Sequence, residues 1–267
     1  MVQQLSPPSL EDEFLYPESD GKPLADNTIQ FRLITTIQGG LDALFQDRED
    51  VFVAGDLLWY PVKLSPQQVR DKEKVPQQAP DVMVVIGRPK GDRRSYKQWE
   101  EENIAPQVAF EILSKSNKRK EMEDKLKFYQ TYGVEEYYLY DPKKNRLQGW
   151  LRRGEKLEEI SSMEGWTSPR LGVRFSSAGG DFALFRPNGE RFSSYVEIVE
   201  QRDRERLAKE REKQRAIVAE NERDREREEK ERERQEKELE KQRADRAESE
   251  LQKLRAQLQQ LKSDRLP

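Results

Sequence analysis

The sequence predicts an α/β fold, in which a mixed β-sheet is flanked by helices and followed by a long charged helix. Two observations support this prediction. Residues 107–140 read as a strand, a helix and a strand, which is the size of a crossover that joins two parallel strands of one sheet. After residue 199, the chain contains 21 Lys or Arg and 20 Asp or Glu, a composition typical of a solvated helix rather than a core.

The chain begins with a segment, residues 1–26, that is rich in Pro, Ser and acidic residues and is expected to be extended. Asp26 or Asn27 can then cap a helix, because apolar residues recur at helical spacing over the following residues. The pair Gly39-Gly40 weakens the middle of this predicted helix.

Short strands are expected at residues 51–53 and 57–60, and the polar, Pro-containing residues 63–79 are expected to form a loop. The Val-rich residues 82–86 read as the next strand. This assignment places Asp81 at the entrance of a buried strand.

The predicted crossover starts with a strand at residues 107–113 and continues as a helix that ends near Tyr132. Ser116 or Asn117 offers the N-terminal cap of that helix, and Gly133 suits the position that follows its C-terminus. The helix therefore returns the chain to the start of the next strand.

The third strand of the crossover is expected at residues 135–140. The remaining body, residues 146–192, reads as antiparallel strands joined by turns such as Pro187-Asn188-Gly189. We expect these strands to complete one mixed sheet.

Composition limits the chemistry that the chain can perform. It has no Cys and no His, which excludes disulfides, thiolate metal sites and His general bases. Residues 1–199 carry a net charge of −4, so composition gives no sign of long-range attraction to nucleic acid. No apolar run approaches the roughly 20 residues that span a bilayer, and no signal peptide is visible, so a cytoplasmic protein with no membrane partner is expected.

Two carboxylates occupy unusual positions in the predicted strands. Asp81 opens the Val-rich strand, and Glu111 interrupts the apolar strand 107–113. Burying an unpaired charge is costly, so a neutralising group is required, and a divalent metal ion is the leading candidate. The alternatives are that Asp81 forms a turn after Pro80, and that Glu111 faces solvent on the side of the strand opposite Phe110.

An ordered series of motifs carries a family resemblance. The series is Pro80-Asp81 before a Val-rich strand, then Phe110-Glu111-Ile112-Leu113-Ser114, then Lys125-x-x-x-Tyr129-x-x-x-Gly133-Val134-x-Glu136-Tyr137. The chain resembles the Uma2 family of bacterial endonucleases and, more remotely, the PD-(D/E)XK restriction-endonuclease-like superfamily. This resemblance implies a restriction-endonuclease-like sheet over residues 27–195.

The resemblance implies a metal-dependent DNA endonuclease that hydrolyses phosphodiester bonds. It implies that Asp81 and Glu111 bind Mg²⁺ or Mn²⁺, with the carbonyl of Ile112 as a further ligand. It also implies that Lys125 orients the nucleophilic water or offsets charge on the phosphate, with Tyr129 one helical turn beyond as support.

One position departs from the superfamily pattern, in which a Lys stands two residues after the Glu. Leu113 occupies that position here, and the resemblance moves the role to Lys125, with Lys115 and Lys127 as rivals. The loop between the predicted strands 82–86 and 107–113 carries four cations that either contact phosphates or are merely solvated: Arg88, Lys90, Arg93 and Arg94.

Residues 196–267 are expected to form a helical stalk. From residue 220 to 238 there is no apolar residue, and Glu residues lead Lys or Arg at i, i+4 spacing. The residues that follow at alternating spacings of three and four form a heptad seam: Ala244, Ala247, Leu251, Leu254, Leu258 and Leu261. The seam predicts a coiled coil with a second copy or a partner helix, and the alternative is a solvated helix with no partner.

A second hypothesis for the whole chain is non-enzymatic. A catalytically silent, nuclease-like scaffold would act as an assembly or interaction module through its coiled coil. The acidic body and the length of the charged tail motivate this alternative.

Overall fold

The structure is a computed structural model that describes residues 14–21, 23–115, 117–180 and 182–263, with side chains described as far as residue 257. It confirms the predicted α/β fold, with a mixed sheet, flanking helices and a long C-terminal helix. Two compact units are present, residues 1–198 and residues 199–267. Residues 1–13 of the predicted extended segment, and the proposed cap Ser116, lie outside the described residues.

The described residues form ten strands and four principal helices. The strands are β1 (Val51–Gly55), β2 (Trp59–Tyr60), β3 (Val82–Ile86), β4 (Tyr96–Lys97), β5 (Val108–Ile112), β6 (Glu136–Asp141), β7 (Arg146–Arg153), β8 (Lys156–Glu159), β9 (Arg174–Ser176) and β10 (Ala183–Phe185). The helices are α1 (Thr28–Leu44), α2 (Pro66–Arg70), α3 (Arg119–Thr131) and α4 (Tyr195–Ser263).

The main sheet has the strand order β1-β3-β5-β6-β7-β8. Strands β5 and β6 run parallel, and every other neighbouring pair in this sheet is antiparallel. The parallel pair is joined through α3, which confirms the predicted strand-helix-strand crossover. Strand β5 lies inside the sheet between β3 and β6. All five of its residues are buried, so both faces of the sheet are covered at this strand.

Alternation along β5 divides the core into two layers. Val108, Phe110 and Ile112 pack with α1 and with the β9-β10 hairpin, whereas Ala109 and Leu113 pack with α3 on the other face. Glu111 shares the second face because successive strand residues point to opposite sides. The helix α3 therefore covers the face on which Glu111 lies.

The expectation that residues 146–192 complete one sheet is wrong in part. Strands β7 and β8 join the main sheet, but β9 and β10 pair only with each other in the named sheets. This hairpin packs Phe175 and Leu184 into the core layer under α1. Its apolar residues are buried by face-to-face packing, so they do not require hydrogen bonding to the main sheet.

Two local predictions also need correction. The predicted loop 63–79 contains the short helix α2, because Ser65 and Gln68 form a reciprocal capping box before it. The N-terminal cap of α3 is Lys118, which makes no side-chain cap hydrogen bond, and Asn117 instead accepts hydrogen bonds from Ser114.

The cap of α1 is as predicted. The side chain of Asn27 accepts hydrogen bonds from the backbone N–H groups of Ile29 and Gln30, both at 3.0 Å. The helix continues through Gly39-Gly40, although glycine weakens a helix interior. The ring of Phe192 gives a reason for the second glycine, since a Cβ at Gly40 would lie 2.2 Å from that ring.

The helix α4 begins with a capping box, in which the Glu197 N–H donates to the Ser194 hydroxyl and the Ser194 N–H donates to the Glu197 carboxylate. It extends for 69 residues with exposed side chains over the part that the structure describes. Within the described residues, no helix combines the length and apolar character needed to cross a membrane.

The two adjacent glycines of α1 should respond to substitution in opposite directions. Gly40→Ala should lower the free energy of unfolding by about 1–2 kcal/mol, because the new methyl group collides with the buried Phe192 ring. A Cβ at Gly39 has no atom within 4 Å, so Gly39→Ala should raise the free energy of unfolding by about 1 kcal/mol through helix propensity. Chemical denaturation followed by tryptophan fluorescence tests this pair, and equal effects at both positions would contradict the packing described.

Candidate active site

Register brings the two predicted carboxylates together. Val82 of β3 lies opposite Phe110 of β5 in an antiparallel pair, so Asp81 and Glu111 are the next residues along the two strands. Only 8% of Asp81 and 3% of Glu111 are exposed, so the alternative of a solvent-facing Glu111 is wrong. The Asp81 carboxylate accepts a hydrogen bond of 2.6 Å from the backbone N–H of Ile112, which ties β3 to the end of β5.

The helix α3 supplies the groups that hold Glu111. The Lys125 ammonium lies 2.7 Å from Glu111 Oε2, and the Tyr129 hydroxyl donates to Glu111 Oε1. Residues four apart on a helix share one face, which is why both side chains reach the same carboxylate. The structure thus brings together all four side chains that the sequence singled out.

The rival lysines have different surroundings. The Lys127 side chain is 75% exposed and lies 4.0 Å from Asp124, whereas the Lys125 side chain is 12% exposed. Lys115 is exposed and lies in the segment that follows β5. Among these three lysines, only Lys125 contacts a carboxylate of the site.

The four loop cations that were candidates for phosphate contact are held by groups of the protein itself. Arg88 and Arg93 both bind Glu101, at 2.7 and 2.6 Å. The Lys90 ammonium donates to two backbone carbonyls that follow α1, and Arg94 pairs with an exposed glutamate at 2.8 Å. These intramolecular contacts give the loop cations a structural role and count against contact with phosphates.

Burial and, after it, the negative charge of Glu111 raise the pKa of the Asp81 carboxyl to about 8, although the Ile112 N–H and Lys125 act in the opposite direction. Burial alone would lower the pKa of Lys125, but the neighbouring Glu111 carboxylate outweighs this and the pKa is raised. Lys125 thus neutralises Glu111, while the buried Asp81 carboxyl keeps its proton up to about pH 8, and a further positive charge would favour the ionised form of Asp81.

Two residues near the site were not predicted from the sequence. The buried Gln30 of α1 donates from Nε2 to the carbonyl of Ile112 at 2.9 Å. Asp56 has a left-handed backbone, with φ of 49°, and its N–H donates to the carbonyls of Pro80 and Asp81. Burial, then the charge of Asp20, raise the pKa of Asp56, which also senses the charges of the site.

The donors available to a cation are few and are all oxygen atoms. Within the residues that the structure describes, no group of three or more Asp or Glu side chains could hold a metal ion. The candidate donors are the carboxylates of Asp81 and Glu111 and the carbonyl of Ile112. A cavity of about 450 Å³ lies beside Lys125, with Lys118 and Lys120 in its wall.

The raised pKa of Asp81 should appear in the pH dependence of stability. In unfolded chains an Asp has a pKa of about 3.9, so between about pH 4 and 8 the folded state retains a proton that the unfolded state has lost. The free energy of unfolding should therefore fall as pH rises through that window. Asp81→Asn removes this loss and should be more stable than the wild type at about pH 8, by on the order of 2 kcal/mol, with a smaller difference near pH 5.

Chemical denaturation in EDTA at the two pH values measures this effect. Asp92→Asn, a substitution of an exposed carboxyl, is the matched control and should follow the wild type. Parallel pH dependence of the wild type and Asp81→Asn would show that the Asp81 carboxyl is ionised throughout.

Comparisons with known proteins agree with the resemblance seen in the sequence. The sequence model of the family Uma2, described as "Putative restriction endonuclease", matches residues 12–177. Among solved structures, the chain is similar to "a putative nuclease belonging to DUF820 from Anabaena variabilis ATCC 29413", with 13% sequence identity, a TM-score of 0.40, and coverage of 58% of this chain and 82% of that chain. No curated protein matches the chain significantly. Because the family match spans more than half of its length, the chain belongs to the Uma2 family.

Proposed function

We propose that the protein is a metal-dependent nuclease that hydrolyses phosphodiester bonds of DNA, with Asp81, Glu111 and Lys125 as its catalytic residues. The observation that carries the proposal is a pair of buried carboxylates on adjacent strands with one ammonium in contact. Membership of a nuclease family supports the reaction class. Buried charges of this kind cost stability, so a role in catalysis accounts for them better than a role in folding.

The donor set fits a hard divalent cation such as Mg²⁺ or Mn²⁺. Asp81, Glu111 and the Ile112 carbonyl offer oxygen atoms alone, which these ions prefer. The Ile112 carbonyl accepts one hydrogen bond from Gln30, and a carbonyl oxygen has a second lone pair. The pKa of about 8 at Asp81 reflects burial first and the charge of Glu111 second, and a bound cation would offset both.

When bound, such an ion supplies Lewis-acid polarisation of a phosphate oxygen and activation of a water. The residues of the chain do the remaining work. Lys125, buried and fixed by Glu111, offsets negative charge that develops on the phosphate. Tyr129 holds the second oxygen of Glu111, so the carboxylate keeps one orientation and Tyr129 acts as a positioning residue.

Nicking of supercoiled plasmid in Mg²⁺ or Mn²⁺ tests the proposal. We expect EDTA to abolish nicking, and Asp81→Asn, Glu111→Gln and Lys125→Met to reduce its rate by at least about a hundredfold each. Lys127→Met is the matched control, because it removes an exposed ammonium two residues away and should leave the rate unchanged. Isothermal titration with Mn²⁺ should show binding to the wild type that Glu111→Gln weakens.

The catalytic assignment is wrong if purified protein nicks DNA equally well in EDTA, or if Glu111→Gln retains full activity. Loss of Mn²⁺ binding without loss of a folded fluorescence spectrum separates a site defect from unfolding. A chain that binds no metal and cuts no DNA would favour the scaffold hypothesis.

We also propose that α4 pairs with another helix, as a homo-oligomer or with a partner protein. The supporting observation is that Leu251 and Leu254 are 53% and 57% exposed along the predicted seam. The side chains of Leu258 and Leu261 lie outside the described residues. Exposed leucines at a and d positions gain burial when two helices associate.

Sedimentation velocity tests this pairing. Leu251→Lys/Leu254→Lys should convert an oligomer to a monomer, because charge in a coiled-coil seam is strongly unfavourable. Removal of the residues after 243 should have the same effect, because it removes the seam. Leu239→Lys is the matched control, since Leu239 is 51% exposed but lies off the heptad seam. An oligomer that survives the double substitution would place the contact elsewhere.

A further inference from the structure

A second cavity lies on the side of α3 opposite to Lys125. Its volume is about 1360 Å³, larger than the roughly 300–1,000 Å³ of typical small-molecule sites. It is bounded by the start of α1, the segments that follow β5 and β6, the start of β7, and α3. We call it the basic groove because of the residues that line it.

Cations outnumber carboxylates in the wall of the basic groove. Six cations line it: Lys115, Lys118, Arg119, Lys143, Lys144 and Arg146. Three carboxylates also line it: Asp26, Glu123 and Asp141. Arg119 pairs with Glu123 at 2.9 Å, and Lys144 lies 3.8 Å from Asp141.

The other four cations, Lys115, Lys118, Lys143 and Arg146, form no ion pair with any carboxylate in the part of the chain that the structure describes. The body of the protein is acidic overall, with a net charge of −4 over residues 1–199. A local excess of unpaired positive charge on such a body is therefore not a consequence of composition. It indicates an anionic ligand for this groove.

The floor of the basic groove is apolar and aromatic. Leu139, Met122 and Leu126 line it together with the half-buried Trp150. The Trp150 ring stacks on Tyr137 with a centroid distance of 5.0 Å and an interplanar angle of 19°. This stacking fixes the orientation of the indole, so a second flat ring can stack on it without a further loss of side-chain freedom.

The groove and the candidate active site lie on opposite sides of α3 and share Lys118 at the start of that helix. Tyr137 lies 4.9 Å from Tyr129, which donates to Glu111, so two aromatic rings separate Trp150 from the catalytic carboxylate. Lys118 lines both the basic groove and the 450 Å³ cavity beside Lys125. A strand that crossed the start of α3 would therefore meet Lys118 in both cavities.

The start of α3 supports the same interpretation. Lys118 occupies the cap position without a side-chain cap hydrogen bond, and Arg119 and Lys120 follow it. Cations are unfavourable at a helix N-terminus because of the helix dipole. Arg119 has a helix-stabilising partner in Glu123, but helix stability does not account for Lys118 and Lys120, whereas contact with an external anion does.

We propose that the basic groove binds a single strand of nucleic acid next to the bond that is cut. One base of the strand stacks on Trp150, and the phosphates of the strand contact Lys143, Arg146 and Lys118. Cations that follow a backbone, combined with an aromatic platform, are the features that bind single strands without sequence preference. The inference rests on the proposed nuclease function for the position of the cut, but binding itself does not require catalysis.

Fluorescence anisotropy with a labelled oligo-dT of about 12 nucleotides tests the inference on the full-length Asp81→Asn protein in EDTA. Adding Lys143→Ala/Arg146→Ala should weaken binding about tenfold and reduce the salt slope of log K by about 1.4, the value for two phosphate contacts on single-stranded DNA. Arg153→Ala/Lys156→Ala is the matched control, because it removes two exposed cations on either side of the β7-β8 turn, outside the groove lining, and should change neither quantity. Equal effects of the two pairs would overturn the assignment to this groove.

The stacking contact has its own measurement. Oligo-dT should quench tryptophan fluorescence in the Asp81→Asn protein, and Trp150→Phe should remove most of that quenching while keeping a ring in the fold. Trp150→Ala should weaken binding at least about fivefold, and Trp150→Phe less. Unchanged quenching in Trp150→Phe would overturn the stacking contact, even if the Ala variant failed to fold.

Competitors separate this proposal from its alternatives and from the proposed function. Unlabelled oligo-dT should compete better than poly-glutamate at equal charge, and the reverse result would overturn nucleic acid in favour of an acidic protein. Failure of the Asp81→Asn protein to bind oligo-dT, in a protein that cuts DNA, would overturn the groove alone. Binding that depends on Lys143 and Arg146, in a protein that never cuts, would support the groove and overturn the nuclease assignment.

Discussion

The fold depends on how it holds one charge, the carboxylate of Glu111 in the middle of the central strand β5. A buried carboxylate costs several kcal/mol unless an opposite charge and hydrogen bonds compensate it. Lys125 and Tyr129 provide both, and each occupies one oxygen of the carboxylate. Because both residues are on α3, the helix can pack on this face of the sheet only in the position and rotation that bring them to Glu111.

The same helix consequently performs three tasks. Its apolar side chains close the core layer over Ala109 and Tyr137, and its polar side chains complete the candidate site. Its two remaining flanks border the 450 Å³ cavity and the basic groove. A side chain on any one flank is thus coupled to the others through a rigid element, which is how a site gains the precise geometry that catalysis requires.

The parts of the site that could be predicted are those where a residue contradicts its local pattern. Glu111 stands out because it interrupts an apolar strand. Lys125 and Tyr129 stand out because they lie four residues apart, on one face of the helix that follows that strand. Gln30 does not, because a polar residue in an amphipathic helix is ordinary and its partner Ile112 is 82 residues away. The hairpin β9-β10 was assigned to the wrong sheet for a related reason, since alternation identifies strands but not which edge they join.

Average charge is a poor guide to where a nucleic acid would bind on this protein. An acidic body repels a polyanion at long range, and within a Debye length of roughly 8–10 Å only local charges act. The cations of the basic groove line one cavity, and four of them form no ion pair in the described structure. A strand would therefore gain attraction only once it reached the groove, so affinity would depend on a few contacts and on the stacking surface of Trp150. Binding of this kind would favour strands that reach the groove in the right position, because the acidic body gives them no long-range attraction.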